Sequence, residues 1–591
     1  MKSKLLCVLL ALVLVLAAFV SCDNGGDDNS GNNNNNSNNN NQNPGDTNDT
    51  VVIPEGAPTY NANWDKTEIK FALTDDNCSG ELSSGCKKYY SGTEANSFEL
   101  IDDMVRARNL AAAKSANVTP RYDYEAASGG WSGNISSIVE QALAGSATNP
   151  DIYCNYVYDL SCAQLRHCFA NLLDTETTAN YFRFNEEDYN PVGESYFDSE
   201  AGEGYFYDYM KSMTLSNDKM YLLASNFCTD LVRAFLVVPL NVQMMSEIKA
   251  EDTWTGNMTE VSDFYDLVWK KTEIKEGYAE GWTYNVLAHY SDKVYADIND
   301  KDSDCVLADK IGFAAGTTSG LVSSGILYTS DVEIIKRDKK DDGSYNYYYP
   351  ETNENLNKFA AQLTALFKGE LSEGGNGIVT IDGDTARDSG FAASGETELI
   401  AIRNRFAENK VLFGGVIAVG SLEDTVYQNM RTTGSKYGFG ILPVPTYETG
   451  HEYLTLVHNI ARIIAISKST TEFAQCSAFL DYQSRMSAEI LDEYYNVRLA
   501  SSTGGLAGEF NNFMLTYIRN HVRDCFDKTF EDSISNKIQS IDSTATENKW
   551  HELLSQSDFK LAEFSNAYKA NAENKNRYLK MVIEDWNNEG N

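Results

Sequence analysis

The sequence predicts an α/β fold of at least two lobes, and two observations predict it. After residue 60 predicted strands alternate with predicted helices over short connections, which is typical of parallel βαβ units. About 540 residues follow the N-terminal tether, more than a single hydrophobic core usually serves, so at least two lobes are expected.

The first segment, residues 1–21, predicts an export signal. Lys2 and Lys4 precede an apolar run from Leu5 to Val20, which is too short to span a bilayer, and Ser21-Cys22 follows at once. Phe19-Val20-Ser21-Cys22 resembles a bacterial lipobox, although Phe19 stands where Leu is usual. The resemblance implies that Cys22 is lipidated, with palmitate among its acyl groups, and anchors the protein on the outer side of a cell membrane. An ordinary signal peptide with a chance cysteine is the alternative.

Residues 22–60 are predicted to be a disordered tether. The stretch after Cys22 is rich in Asn, Asp and Gly and has no large apolar side chain up to Thr50, so it cannot bury enough surface to offset its ordering entropy. A flexible linker of this length reaches about 30 Å. The tether therefore predicts that the folded part is held above a lipid surface. Aggregation of the Asn-rich tract is a less favoured alternative to this spacer role.

Charge and cysteine usage limit the partners. The formal net charge of −37 argues against nucleic acid and against anionic membrane surfaces as binding partners. Eleven cysteines include Cys7 and Cys22, and the other nine are spread along the chain rather than in a dense disulfide framework. Cys78 and Cys86 could close a short loop. Cys154, Cys162 and Cys168 lack metal-site spacing, so buried thiols are expected there.

The first lobe is predicted from a run of alternating patterns. Thr67 to Leu73, Val118 to Tyr124 and Asp151 to Val157 read as strands, while Phe98 to Ala116 and Asn134 to Ala144 read as helices, with Gly145 ending the second one. This alternation predicts a parallel α/β sheet.

Motifs in the middle and late chain resemble a known family. Gly281-Trp282-Thr283-Tyr284 opens a helical run ending near Tyr295, an acidic turn with Asp297-Ile298-Asn299 follows, and Lys310-Ile311-Gly312-Phe313 reads as a strand. Gly440-Ile441-Leu442-Pro443 and Val457-His458-Asn459 come later. In this order they resemble extracellular solute-binding proteins of ATP-driven (ABC-type) sugar importers, similar to the maltose-binding type, except that Ile311 replaces the usual Tyr.

The resemblance implies a two-lobed periplasmic-binding-protein-like (type II) α/β fold with a hinge and an interlobe cleft, in which the chain crosses between the lobes more than once. It also implies the domain organisation and the function. Residues 61–235 with 457–510 would form lobe I, and residues 236–456 with 511–591 would form lobe II. The protein would be a monomeric receptor without cofactor or catalytic residues, which captures a sugar or oligosaccharide and delivers it to an ABC transporter permease. A non-sugar ligand such as a peptide stays open as an alternative.

Candidate ligand-binding residues follow predicted strands or begin helices, because a cleft forms there. Each of them also has a structural alternative to ligand binding. Depending on the residue, this alternative is an exposed turn, a packed aromatic ring or a contact at the hinge. The set comprises Asp75, Asp76, Asn77, Trp131, Tyr156, Tyr158, Asp159, Asn226, Trp282, His458 and Asn459.

Two other readings are weaker. The acidic turn of residues 297–309 could bind calcium, but Cys305 and Ile311 occupy the places where an EF-hand needs glycine and a bidentate acid, so no metal is expected. A lipid-anchored polysaccharide hydrolase would need a pair of carboxylates across the scissile bond, which 85 acidic residues could supply. No HExxH, GxSxG, Walker A or GxGxxG pattern supports an enzyme.

Overall fold

The computed structural model contains two separate β-sheets in the part that can be described. The described residues are 51–60, 63–74, 100–124, 134–174 except 147, 180–184 except 183, 204–248 except 216–218 and 228, 281–296, 310–381 except 317–319 and 342–344, 396–430 except 425, 428 and 429, 438–499, 508–522, 528–529 and 561–588. The signal peptide, residues 22–50 of the predicted tether, the pair Cys78 and Cys86, and the acidic turn of residues 297–309 lie outside them. Residues 51–60 were predicted as part of the disordered tether, but they pack on the folded chain: Lys114 Nζ donates to the Val51 carbonyl at 2.9 Å, and the Tyr60 hydroxyl donates to Asp481 Oδ2 at 2.9 Å. Their apolar side chains, among them Val51 and Tyr60, contact the core, which the Asn-rich residues before them could not do. None of the described helices is long and apolar enough to cross a membrane.

The first sheet has five strands in the order β2-β1-β3-β13-β4. β1 (Thr67–Leu73), β2 (Val118–Asp123) and β3 (Ile152–Tyr156) are parallel, whereas β13 (Arg462–Ile466) runs antiparallel to both β3 and β4 (Leu222–Leu223). All five residues of β3 and of β13 are buried, as expected for central strands covered on both faces. The predicted strands of the first lobe are therefore confirmed.

Helices pack on the first sheet. α1 (Leu100–Ser115) connects β1 to β2, α2 (Ile135–Ala144) connects β2 to β3, and α3 (Val157–Gln164) follows β3 directly. Gly145 ends α2 in the left-handed conformation, at φ 60°, as its position in the sequence predicts. The short helices α4 (Tyr207–Ser212) and α5 (Thr229–Arg233) lie on either side of β4 in the chain.

The second sheet has six strands, five in the order β11-β5-β10-β6-β9 with β12 paired to β5. Its strands are β5 (Leu236–Asn241), β6 (Ile311–Gly316), β9 (Ile378–Ile381), β10 (Val411–Phe413), β11 (Ile417–Ala418) and β12 (Phe439–Leu442). β9, β6 and β10 are parallel, and β5 is antiparallel to β10, β11 and β12. A separate hairpin joins β7 (Lys336–Lys339) to β8 (Tyr345–Tyr348).

The helices associated with the second sheet follow its strands in the chain. They are α6 (Val242–Glu247), α7 (Tyr284–Val294), α8 (Gly320–Tyr328), α9 (Glu354–Phe367), α10 (Glu398–Ala407) and the 3-10 turn α11 (Val419–Glu423). Asn241, Asn353 and Thr397 cap α6, α9 and α10 by accepting a backbone N–H with their side chains.

The remaining described helices come after β13. They are α12 (Phe473–Arg485), α13 (Ala488–Glu493), the π-helical turn α14 (Tyr494–Leu499), α15 (Gly508–Asn520) and α16 (Leu561–Asn587). α12 packs on α1 and β1, and α15 packs on β12. The chain thus returns from the second sheet to the first and then back again.

The two sheets confirm the predicted α/β class and the crossing of the chain between two strand systems. The exact lobe limits of the sequence analysis, including residues 511–591 in lobe II, stay a prediction, and α16 contacts elements of both systems, as shown below.

Candidate ligand-binding site at the crossing of the two sheets

The chain crosses between the sheets through two adjacent extended segments. Phe235 pairs antiparallel with Val457, the Leu236 N–H donates to the Leu456 carbonyl at 3.0 Å, and the His458 N–H donates to the Ala234 carbonyl at 2.9 Å. One segment leads from α5 into β5 and the other leads back towards β13. Backbone hydrogen bonds therefore hold the crossing together, while the few residues involved can still absorb a change in backbone angles, as hinges do.

The carboxyl ends of the parallel strands of both sheets lie towards this crossing. In the first sheet, β3 ends at Tyr156, which is paired with Arg462 at the start of β13. In the second sheet, Ala418 at the end of β11 pairs with Leu236 at the start of β5. Ligands of open α/β sheets bind outside the carboxyl ends of strands, so the geometry places a candidate site here.

Tyr156, Tyr158 and Asp159 lie at this edge, as predicted. The Val157 N–H donates to the Ala461 carbonyl at 2.8 Å, and the Tyr158 N–H donates to the Asn459 carbonyl at 3.1 Å. The segment after β3 is thereby fixed to the segment that contains His458 and Asn459. The structure brings five of the predicted site residues together at one end of the first sheet.

Arg462 is a site residue that the sequence analysis missed. Its guanidinium lies 5.3 Å from the centre of the Tyr156 ring, and only 1% of the residue is exposed. A buried arginine over an aromatic face is held by a cation–π interaction that gains strength as water is excluded. Arg462 begins β13, and the other four residues of this strand are apolar. A single arginine at the start of an apolar run is the signal that could have drawn attention to it.

Asp159 is the most unusual group at this edge. It is fully buried, and within the described part of the chain neither carboxylate oxygen has a hydrogen-bond partner. Burial raises the pKa of Asp159 to about 7, because desolvation penalises the charged form. A carboxyl group in this state can donate or accept a hydrogen bond near neutral pH.

Two more polar groups follow β4 along the chain. The side-chain carbonyl of Asn226 and the hydroxyl of Thr229 are buried and have no hydrogen-bond partner within the described residues. The Asn226 N–H donates to the Gly204 carbonyl at 2.7 Å, which fixes its backbone. Buried polar groups are normally paired, so groups such as these mark places where a polar ligand or water is expected. Thr229 was not predicted.

The histidine of the crossing has a structural role. His458 is 8% exposed, and its Nδ1 accepts the N–H of Ile460 at 3.1 Å. This bond shapes the turn that leads into β13. Both the ligand-binding role predicted for His458 and its hinge alternative stay predictions.

Trp282 does not join the site. Its Nε1 donates to the Pro443 carbonyl at 2.7 Å, its backbone N–H donates to the Tyr453 hydroxyl at 2.8 Å, and its ring packs on Phe413. The residue is completely buried within the second sheet's core. Its indole serves packing, and this is the structural alternative to ligand binding. Asp75, Asp76, Asn77 and Trp131 lie outside the described residues.

An ion pair connects the two sides of the crossing. Arg233, in α5 next to the first sheet, donates from Nε to Glu423 Oε1 at 2.7 Å, and Glu423 ends α11 of the second sheet. The Tyr494 hydroxyl donates to the same oxygen at 2.7 Å. Arg233 and Glu423 are 1% and 5% exposed, so the pair is shielded from solvent.

No group of three or more metal-binding side chains occurs in the described ranges. No protein-family model matches the sequence, and no curated protein matches it.

Three solved structures are similar to the chain. The GacH receptor of Streptomyces glaucescens, studied without ligand and with acarbose, is 12% identical at a TM-score of 0.43, over 86% of this chain and 99% of that one. An ABC substrate-binding protein of Listeria monocytogenes in complex with cycloalternan is 11% identical at 0.44, over 87% and 100%. A maltose/maltodextrin-binding domain of Bdellovibrio bacteriovorus bound to maltotriose is 11% identical at 0.42, over 86% and 100%. At these identities and TM-scores the three structures carry no argument on the role or the ligand of this chain.

Proposed function

We propose that the protein is a solute-binding receptor that closes two lobes over a small ligand at the crossing of its sheets. The observation that carries this proposal is that Asp159, Asn226 and Thr229 each have a buried polar atom without a partner in the described chain, and that all three follow strands of the first sheet. They stand at the carboxyl edge of the first sheet, beside the segment through which the chain passes to the second. Such an arrangement suits a polar ligand held between two moving bodies.

A sugar or oligosaccharide is the ligand class that we propose. Carboxyl, amide and hydroxyl groups can each bind sugar hydroxyls, and the partly buried Tyr158 ring offers an aromatic surface at the same edge. The sequence motifs that resemble sugar-importer receptors point to the same ligand class. Lipid attachment at Cys22, the outer face of a cell membrane as location, a monomeric state and delivery to an ABC transporter permease complete the proposal.

A thermal-shift screen tests the proposal. A ligand that binds the native state raises the melting temperature by mass action, so mono- and oligosaccharides are compared with peptides at matched concentrations. Stabilisation by a saccharide that is weakened in the Asp159→Asn and Thr229→Ala variants supports the assignment. Stabilisation by peptides alone would replace the sugar with the alternative ligand class. Release of new reducing ends from a labelled oligosaccharide would instead identify a hydrolase.

The location has its own test. Metabolic labelling with a palmitate analogue is expected to mark the wild-type protein and to leave a Cys22→Ala variant unlabelled. Labelling of both proteins would reject Cys22 as the lipidation site.

A further inference from the structure

The long C-terminal helix α16 is attached to both sheet systems. At its carboxyl end Trp586 is 1% exposed, and its ring packs on Tyr221 and His167 at centroid distances of 5.3 and 5.8 Å. The Trp586 carbonyl accepts a hydrogen bond from Lys219 Nζ at 3.3 Å. Tyr221 directly precedes β4, so this end of α16 is fixed beside the edge strand of the first sheet.

The middle of the same helix is fixed to the other system. The Tyr349 N–H donates to Asn576 Oδ1 at 2.7 Å, and Asn576 Nδ2 donates to the Tyr349 carbonyl at 2.8 Å. The Tyr568 hydroxyl donates to the Pro350 carbonyl at 2.9 Å. Tyr349 and Pro350 follow the hairpin strand β8 and precede α9. Helix α9 in turn packs on α7 and on β9 of the second sheet.

A further contact joins the hairpin itself to the first system. The Tyr347 hydroxyl donates to the Leu215 carbonyl at 2.9 Å, and both residues are buried. Leu215 follows α4 and belongs to the segment that leads to β4. The assembly of α16 with the hairpin therefore connects the two sheet systems, in addition to the crossing strands.

We infer that α16 is a strap whose Trp586 end limits the relative movement of the two lobes and thereby tunes ligand affinity. This inference rests on the proposed function. A helix is stiff along its axis, and ten residues from Asn576 to Trp586 span about 15 Å. Lobe movement must therefore either carry both attachments along or break one of them.

The attachment at Trp586 is the one expected to break. An aromatic cluster and a lysine hydrogen bond contribute to it, whereas the Asn576 side chain makes two hydrogen bonds with the backbone N–H and carbonyl of Tyr349. A conformation that releases Trp586 exposes the large apolar surface of its indole to water, which is unfavourable. The strap therefore favours the lobe arrangement seen here over any arrangement that pulls the indole out of its site.

A matched pair of variants tests the strap. Trp586→Ala removes the attachment, and Met581→Ala on the same helix changes a 41% exposed side chain as control. Small-angle scattering without ligand is expected to show a broader size distribution for Trp586→Ala and no change for Met581→Ala. Affinity for the saccharide that stabilises the wild type is expected to change at least threefold in Trp586→Ala alone.

A double-cysteine variant separates the strap from a purely structural role. Lys219→Cys with Asn587→Cys places two thiols near the Trp586 attachment, and a bismaleimide with a disulfide in its spacer would lock it while dithiothreitol would release it, with the wild type treated in the same way as control. A reversible change in affinity or scattering on cross-linking of the double variant alone supports the strap. The strap would be overturned if the locked, released and Trp586→Ala proteins had equal affinity and equal scattering. If no saccharide bound the wild type, the proposed function would be rejected instead.

Discussion

Arg233 Nε lies 2.7 Å from Glu423 Oε1, and this ion pair joins helix α5 beside the first sheet to α11 of the second. Both side chains are almost fully buried, and Tyr494 donates a hydrogen bond to the same carboxylate oxygen. Breaking one partner of a buried pair leaves an uncompensated charge, which costs more than the pair contributes when intact. The contact is therefore expected to govern how easily the two sides separate.

Replacement of Glu423 tests this contact. Glu423→Gln keeps the shape and a hydrogen-bond acceptor but removes the charge that balances Arg233, so we expect a loss of about 3 kcal/mol in the free energy of unfolding. Urea denaturation measures it. Glu408→Gln serves as control because Glu408 forms its ion pairs at the surface. Equal stability of the two variants would show that the buried pair contributes nothing.

Asp159 predicts a dependence of stability on pH. The pKa of Asp159 is raised in the folded state, so between about pH 4 and pH 7 the folded state holds a proton that the unfolded state releases. The contribution of Asp159 to stability therefore falls as the pH rises through this range. Asp159→Asn removes this contribution. We expect the melting temperature of the variant to fall less than that of the wild type between pH 5 and pH 8. Parallel pH profiles would contradict the burial of an unpaired acid.

Gly204 predicts a steric effect beside the candidate site. Its φ of +81° is in the left-handed region, and an added Cβ would lie 2.4 Å from the Ser484 carbonyl oxygen and 3.1 Å from Asn226 Nδ2. We expect Gly204→Ala to destabilise the protein by about 2 kcal/mol or more, because backbone would have to shift. Gly450→Ala is the matched control, since Gly450 also has a positive φ but no atom within 4 Å of the added Cβ. Chemical denaturation of both variants distinguishes crowding from backbone strain.

Trp282 predicts a structural and not a ligand-binding phenotype. Trp282→Phe keeps an aromatic ring but leaves the Pro443 carbonyl without its donor, so a loss of about 1 to 3 kcal/mol in stability is expected. Ligand affinity, measured by calorimetry well below the melting temperature, should stay within a factor of two. A large loss of affinity with unchanged stability would return Trp282 to the site.

The sequence allowed the class of fold and most strands to be predicted, because buried strands such as β3 and β13 are short apolar runs between turn residues. Tyr156, Tyr158 and Asp159 could be placed at a strand end for the same reason. Arg462 and Thr229 could not be placed in this way. The position of Arg462 depends on the antiparallel pairing of β13 with β3, which joins residues about 300 positions apart. The position of Thr229 depends on the path of the chain after β4. The role of Trp282 depends on a partner 161 residues away and was equally hidden.

The strap has a consequence for how the protein could be used as a sensor. A fluorophore attached near Asn587 would report on the distance between the C-terminal helix and the edge strand of the first sheet without touching the ligand. Because the buried Trp586 indole belongs to the attachment of the helix end, the environment of such a label should respond to lobe movement.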